Sequence, residues 1–228
     1  MKVTLSFEKS ECSDVSIMVD MLRASTTITV ALDKFRKVIP CSSPEEALKL
    51  KEKNGGVIAG ERGGAQIEGF DLGNSPTAIE NFKSDEKILI LTTSNGTRIL
   101  ENMSSTVLVG SLINAEAVAK KSIELSNGHI DVVMAGVKGE FAIEDFLASG
   151  EILYWITEHS DEYEISEYAQ TAVLASRDYD LMKETILNSR TAKRLIELGY
   201  KEDIELCCLK NISKNTALYK NNELTLYI

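Results

Sequence analysis

The feature that most restricts what this chain can fold into is a repeated alternation of short, β-branched apolar runs with stretches of helical character. Ser16 to Met21 predicts a strand, followed by a helix from about Ser25 to Lys34, and Lys37 to Cys41 predicts a second strand. Ser43-Pro44-Glu45-Glu46 is a helix start: Ser is the N-cap, Pro takes the first helical position, and a Glu follows three residues after the cap. The rhythm continues with strands at 56–60, 87–91, 106–110 and 131–135, and helices starting at Ser75-Pro76 and spanning 115–125. It implies an α/β fold whose mostly parallel or mixed sheet is covered by helices. From about Ile143 the pattern turns helical, through Trp155, then 168–176 and 179–198. Near the end, 217–220 and 224–228 flank Asn221-Asn222, a hairpin turn because Asn tolerates positive φ. The expectation is one domain, 1–228, with a C-terminal helical and β-hairpin elaboration; the alternative is an α/β core, 1–150, with a subdomain at 151–228.

Chemistry gathers just after strands, where ligands of open α/β sheets bind. Asp20-Met21-Leu22-Arg23-Ala24-Ser25-Thr26-Thr27 sets an acid at a strand end, an arginine, and hydroxyls opening a helix. Helix N-terminal amides and the macrodipole favour phosphate, hydroxyls donate, and Arg binds two oxygens at once. On its own the segment is equally a capped helix with a surface arginine. Gly60-Glu61-Arg62-Gly63-Gly64, continuing through Gly69-Phe70-Asp71 to Pro76, interleaves glycines with carboxylates and a cation. Thr92-Thr93-Ser94-Asn95-Gly96-Thr97-Arg98 repeats the first arrangement after another strand, and Ala135-Gly136 leads to Glu144-Asp145 at a helix start. Arginines recurring beside hydroxyls, carboxylates and glycines point to a pocket for a polyanion with hard-cation ligands. An all-oxygen set favours Mg²⁺ over zinc.

Charge limits the partners. A formal net charge of −10 argues against nucleic acid, whose phosphates are bound through clustered Lys and Arg. It does not exclude a small anion, since the far field is screened over about 8 Å at physiological salt. No run approaches the roughly 18 to 20 apolar residues of a membrane span, and Met1 to Leu5 alternates like a strand rather than a secretory signal. Four cysteines with no C-x-x-C pair suit reduced thiols in a cytoplasmic protein. A homo-oligomer is left open. The two histidines lie outside these segments, no cysteine precedes an arginine at thiolate-loop spacing, residue 22 is Leu where a D-x-D motif needs Asp, and no G-x-x-x-x-G-K-[ST] loop occurs. Those absences set aside four common phosphatase and NTPase chemistries.

DMLRASTTI at 20–28, GERGG at 60–64, GFDLGNSP at 69–76, TTSNGTR at 92–98 and AGVKGEFAIED at 135–145 together resemble the 2-phosphosulfolactate phosphatase family of coenzyme M biosynthesis. Met21 and Ser94 replace the Val and Thr of its pattern without removing a charge. The resemblance implies hydrolysis of (2R)-2-phospho-3-sulfolactate to 3-sulfolactate and inorganic phosphate, with Mg²⁺ required, on an α/β fold of the family's own. It does not say which carboxylate does what; the residue types themselves suggest metal ligation by some of Glu61, Asp71 and Asp145, and phosphate binding by Arg23 and Arg98 with Ser25, Thr26, Thr93, Asn95 and Thr97. Arg62 would engage the sulfonate or carboxylate. Asp20 would be the base for an attacking water, with an aspartyl-phosphate as second choice. Two competing expectations are a phosphatase for other 2-phospho-hydroxy acids and a non-catalytic protein that binds an anionic metabolite.

Overall fold

The computed structural model describes residues 1–95, 99–100 and 103–227. Its strands are β1 Lys2–Phe7, β2 Val15–Val19, β3 Lys37–Cys41, β4 Val57–Arg62, β5 Ala65–Gln66, β6 Ile88–Thr92, β7 Thr106–Gly110, β8 His129–Met134, β9 Glu164–Ile165, β10 Ala217–Lys220 and β11 Glu223–Leu226. Its α-helices are α1 Ala24–Ala31, α2 Pro44–Asn54, α3 Pro76–Asn81, α4 Ala115–Leu125, α5 Ile143–Glu158, α6 Glu167–Ala175, α7 Tyr179–Leu187, α8 Arg190–Glu197 and α9 Lys201–Cys207.

The strands join in the order β5-β4-β6-β3-β11-β10-β7-β2-β8-β1-β9. Two parallel blocks, β4-β6-β3 and β7-β2-β8-β1-β9, are stitched together by the antiparallel hairpin β10–β11. The C-terminal hairpin, read from sequence as an elaboration, therefore occupies the middle of the sheet. Asn221 and Asn222 turn it with φ of 53° and 60°, the left-handed pair a two-residue type I′ turn demands.

That hairpin decides where the site forms. The three antiparallel pairings between β3 and β7 reverse the sense of one parallel block against the other. In a flat sheet the carboxyl ends of β4 and β2 would lie at opposite edges. Strands rotate by roughly 20 to 25° per step, and five steps separate β6 from β2 in the sheet order. The accumulated twist turns the blocks so that the carboxyl ends of β2, β4, β6 and β8 converge.

Helix α1 lies inside this curve, and all eight of its residues are buried. Ile28, Val30 and Ala31 share one apolar cluster with Val38, Ala59, Leu91, Val109, Val133 and Leu224, drawn from both blocks and the hairpin. A second cluster joins Val3, Ile17 and Val132 of the sheet to Val118 of α4, Ile152 and Leu153 of α5, Ala172 of α6 and Leu195 of α8. The single helix expected over 179–198 is two, α7 and α8. Ser189 interrupts it with an extended ψ of 159°, and its hydroxyl accepts from the Ala192 N–H at 3.1 Å. Serine competes well for that capping role, so the chain turns there and α8 takes a new direction.

Candidate active site

The convergent strand ends enclose a cavity of about 540 Å³, walled by the segments after β2, β4, β6 and β8 and by one side of α8. Its floor is acidic. Asp20, one residue past β2, is fixed by its backbone: its N–H donates to Ser25 Oγ at 2.8 Å and its carbonyl accepts from the Ser25 N–H at 2.8 Å. Glu61, at the end of β4, accepts the Gly64 N–H on Oε2 and the Ser94 N–H on Oε1, both at 2.7 Å. Gly64 holds φ at +89°, the left-handed conformation that lets its N–H face Glu61 while its carbonyl meets Arg23. Both carboxylates line the cavity and are nearly buried.

Burial, then the neighbouring charge of Glu61 and next that of Glu144, push the Asp20 carboxyl up to about 7, against the opposing pull of the Ala24 N–H and Arg23. Asp145 is likewise raised, first by burial and then by Asp20 and Glu144. Its oxygens accept the Met21 N–H at 2.8 Å and the Gly136 N–H at 2.9 Å, so it clamps the two loops that flank the cavity. Negative charge is concentrated here beyond what the local hydrogen bonds offset.

Four cations, Arg23, Lys138, Arg190 and Arg194, line the same cavity. Arg23 is buried, paired to Asp203 at 2.7 Å, donates to the Gly64 carbonyl at 2.7 Å, and lies 4.2 Å over the Tyr200 ring. Asp203 also accepts from Ser75 Oγ at 2.7 Å and from the Thr77 N–H at 3.2 Å, tying α9 to the start of α3. Asn74, just before that helix, lines the cavity and is 4% exposed, and its Oδ1 has no hydrogen-bond partner among the described residues. A buried amide oxygen without a partner costs free energy unless something bound to the cavity meets it.

The fold thus brings Asp20, Arg23, Glu61, Thr93 and Asn95 together on one cavity. Five residues expected there stand elsewhere. Asp71 is taken up by Lys51 at 2.7 Å and the Ile58 N–H at 2.9 Å, away from the cavity wall. Asp145 does not reach the cavity surface, unlike Glu61. The Ser25 hydroxyl receives the Asp20 N–H, and Thr26 Oγ1 donates to the Met21 carbonyl at 3.1 Å, so α1 is buried end-on rather than opened to a ligand. Arg62 points away as well, donating to its neighbour's carbonyl, to the Ser42 carbonyl at 3.1 Å and to Thr92 Oγ1 at 3.0 Å. Thr97 and Arg98 lie outside the described residues.

Sequence reasoning missed Asn74, Ser94, Lys138, Arg190 and Arg194. Asn74 and Lys138 lie within segments already marked for their carboxylates and glycines. Arg190 and Arg194 carried no such signal, because a basic pair four apart on a helix reads as an ordinary solvated face.

Comparison with known proteins places the chain. The family model described as 2-phosphosulpholactate phosphatase matches residues 2–222. A protein of Methanothermobacter thermautotrophicus named 2-phosphosulfolactate phosphatase is 49% identical over 226 residues, covering 99% of this chain and 96% of that one. A protein of the same name from Methanocaldococcus jannaschii is 35% identical, covering 95% and 94%. A probable 2-phosphosulfolactate phosphatase of Clostridium acetobutylicum is 38% identical, also covering 95% and 94%. With the match spanning nearly its whole length, this chain belongs to the 2-phosphosulfolactate phosphatase family.

Proposed function

We propose that this protein hydrolyses the phosphate ester of (2R)-2-phospho-3-sulfolactate to 3-sulfolactate and inorganic phosphate, with Mg²⁺ as its cofactor. The observation that carries the reading is one cavity lined both by the buried carboxylates Asp20 and Glu61 and by the cations Arg23, Lys138, Arg190 and Arg194. The substrate brings about four negative charges near neutrality, about two of them on the phosphate. Arginine and lysine on the wall suit such an anion; the carboxylate floor alone would repel it.

The floor suits a hard cation. Among the described residues no three His, Cys, Asp or Glu side chains gather as a closed metal site. Mg²⁺ does not need one, because it keeps several waters and binds through one or two carboxylates plus substrate phosphate. Glu61 and the unpartnered Asn74 Oδ1 would hold it beside Asp20. When bound, Mg²⁺ supplies the positive charge that lets the phosphate rest against this floor.

Asp20 would take a proton from the attacking water; burial and the charges of Glu61 and Glu144 raise its carboxyl, which favours that uptake. The water oxygen bonds phosphorus, the ester P–O bond breaks, and the departing alkoxide takes up a proton, so the sum is one water consumed. Arg23 is held rigidly by Asp203 and Tyr200, which lowers the entropy lost when its remaining N–H groups meet a phosphate oxygen. Phosphate release from 2-phosphosulfolactate tests the reading. Turnover should cease on chelation and return with Mg²⁺, whereas binding without release under all metal conditions would identify a non-catalytic metabolite-binding protein.

A further inference from the structure

Resting on that reading, we propose that Arg190, Arg194 and Lys138 form a second anion subsite, which takes the sulfonate or carboxylate end of the substrate. Glu140 occupies it in the substrate's absence.

Three observations carry this. Arg190, Thr191, Arg194 and Leu195 line the cavity at one helical repeat, so α8 presents a single face to it. The two arginines therefore act on the same volume. Across from them, the turn after β8 is rigid: Val137 and Glu140 exchange backbone hydrogen bonds of 2.9 and 3.0 Å. Lys138 and Gly139 at its tip both hold positive φ, 52° and 82°. Lys138 reaches the cavity from this turn and has no ion pair among the described residues.

The third observation is the Glu140 carboxylate, which bonds Arg190 Nη1 across the cavity mouth. Both side chains are mostly exposed, 67% and 64%. An exposed, solvent-screened pair of this kind contributes little, so an incoming anion displaces it readily. Glu140 thus marks the position and chemistry of its competitor: a strong-acid oxoanion on a guanidinium fork. Asp20 and Glu61 are buried whereas Arg190 and Glu140 are exposed, which gives the substrate a direction, phosphate inward toward Asp20 and acid group outward toward α8.

Calorimetric titration in Mg²⁺-containing buffer separates the two ends, using 3-sulfolactate, which has acid groups and no phosphate ester, and inorganic phosphate. Arg190→Ala should weaken 3-sulfolactate by about tenfold or more while leaving phosphate within about twofold, since only the charge-assisted pair at the acid end is lost. Glu140→Gln should tighten 3-sulfolactate. Equal weakening of both ligands by Arg190→Ala, no weakening of either, or no binding of 3-sulfolactate to the wild type overturns the subsite. Failure of the hydrolytic reading looks different: 3-sulfolactate binds through Arg190, but 2-phosphosulfolactate is not cleaved.

Discussion

Asp20 is buried one residue past β2, close to two other carboxylates. Its carboxyl is raised from 3.8 to about 7 by burial and then by Glu61 and Glu144. A raised folded-state pKa gives stability that is fully present below the unfolded value and is lost as pH rises through the folded one. The native state should therefore weaken between about pH 4 and pH 7, by up to about 1.4 kcal/mol per pH unit from this group. Asp20→Asn keeps an acceptor for the Ala24 N–H and never ionises, so with metal chelated its Tm advantage over wild type should grow from pH 5 to pH 8. A constant difference across that range would contradict the charged floor. Arg23 and Asp203 form a buried pair, and Arg23→Ala or Asp203→Ala should each cost about 3 to 5 kcal/mol by stranding the other charge, a Tm loss on the order of 10 °C. A smaller loss from the double variant than the sum of the single ones would confirm the coupling; unchanged melting in both single variants would refute it. Asp20, Arg23 and Glu61 were legible because strand ends in such sheets face ligands. Ser25 and Thr26 were misleading for a physical reason: nothing local distinguishes a helix start open to solvent from one buried inside a curved sheet.

At the scale of elements, periodicity read well wherever a segment buries one consistent face. Lys37–Cys41, Thr106–Gly110 and Ala115–Leu125 form with the bounds the sequence predicts. The two-residue strands β5 and β9 are too short to show a period, and the break between α7 and α8 rests on one capping serine within a helical pattern. That break matters most for the site, because it swings Arg190 and Arg194 onto the cavity. Close packing of α5 on α6 is a second feature no pattern reveals. A Cβ on Gly150 would stand 2.1 Å from the Ala172 carbonyl oxygen, so the helices meet only because residue 150 has no side chain. Gly150→Ala should destabilise by about 1 to 3 kcal/mol in urea unfolding despite alanine's better helix propensity. Any stabilisation would show that the two helices separate freely.

Over the whole molecule, the central hairpin and the twist it transmits bring four strand ends together, an outcome set by long-range pairing that one sequence does not display. Global charge also gives way to local arrangement. The chain carries −10, yet its cavity gathers four cations together with a buried carboxylate floor. In the proposed reaction a hard cation would bridge an anion of about four charges to that floor. Steady-state phosphate release from 2-phosphosulfolactate, by wild type and Asp20→Asn, each with Mg²⁺ and after chelation, tests this most directly. The account predicts turnover by the wild type only with Mg²⁺, and a fall of about 10²- to 10⁴-fold in Asp20→Asn with the fold intact. Full turnover by metal-free wild type, or by Asp20→Asn, would contradict it.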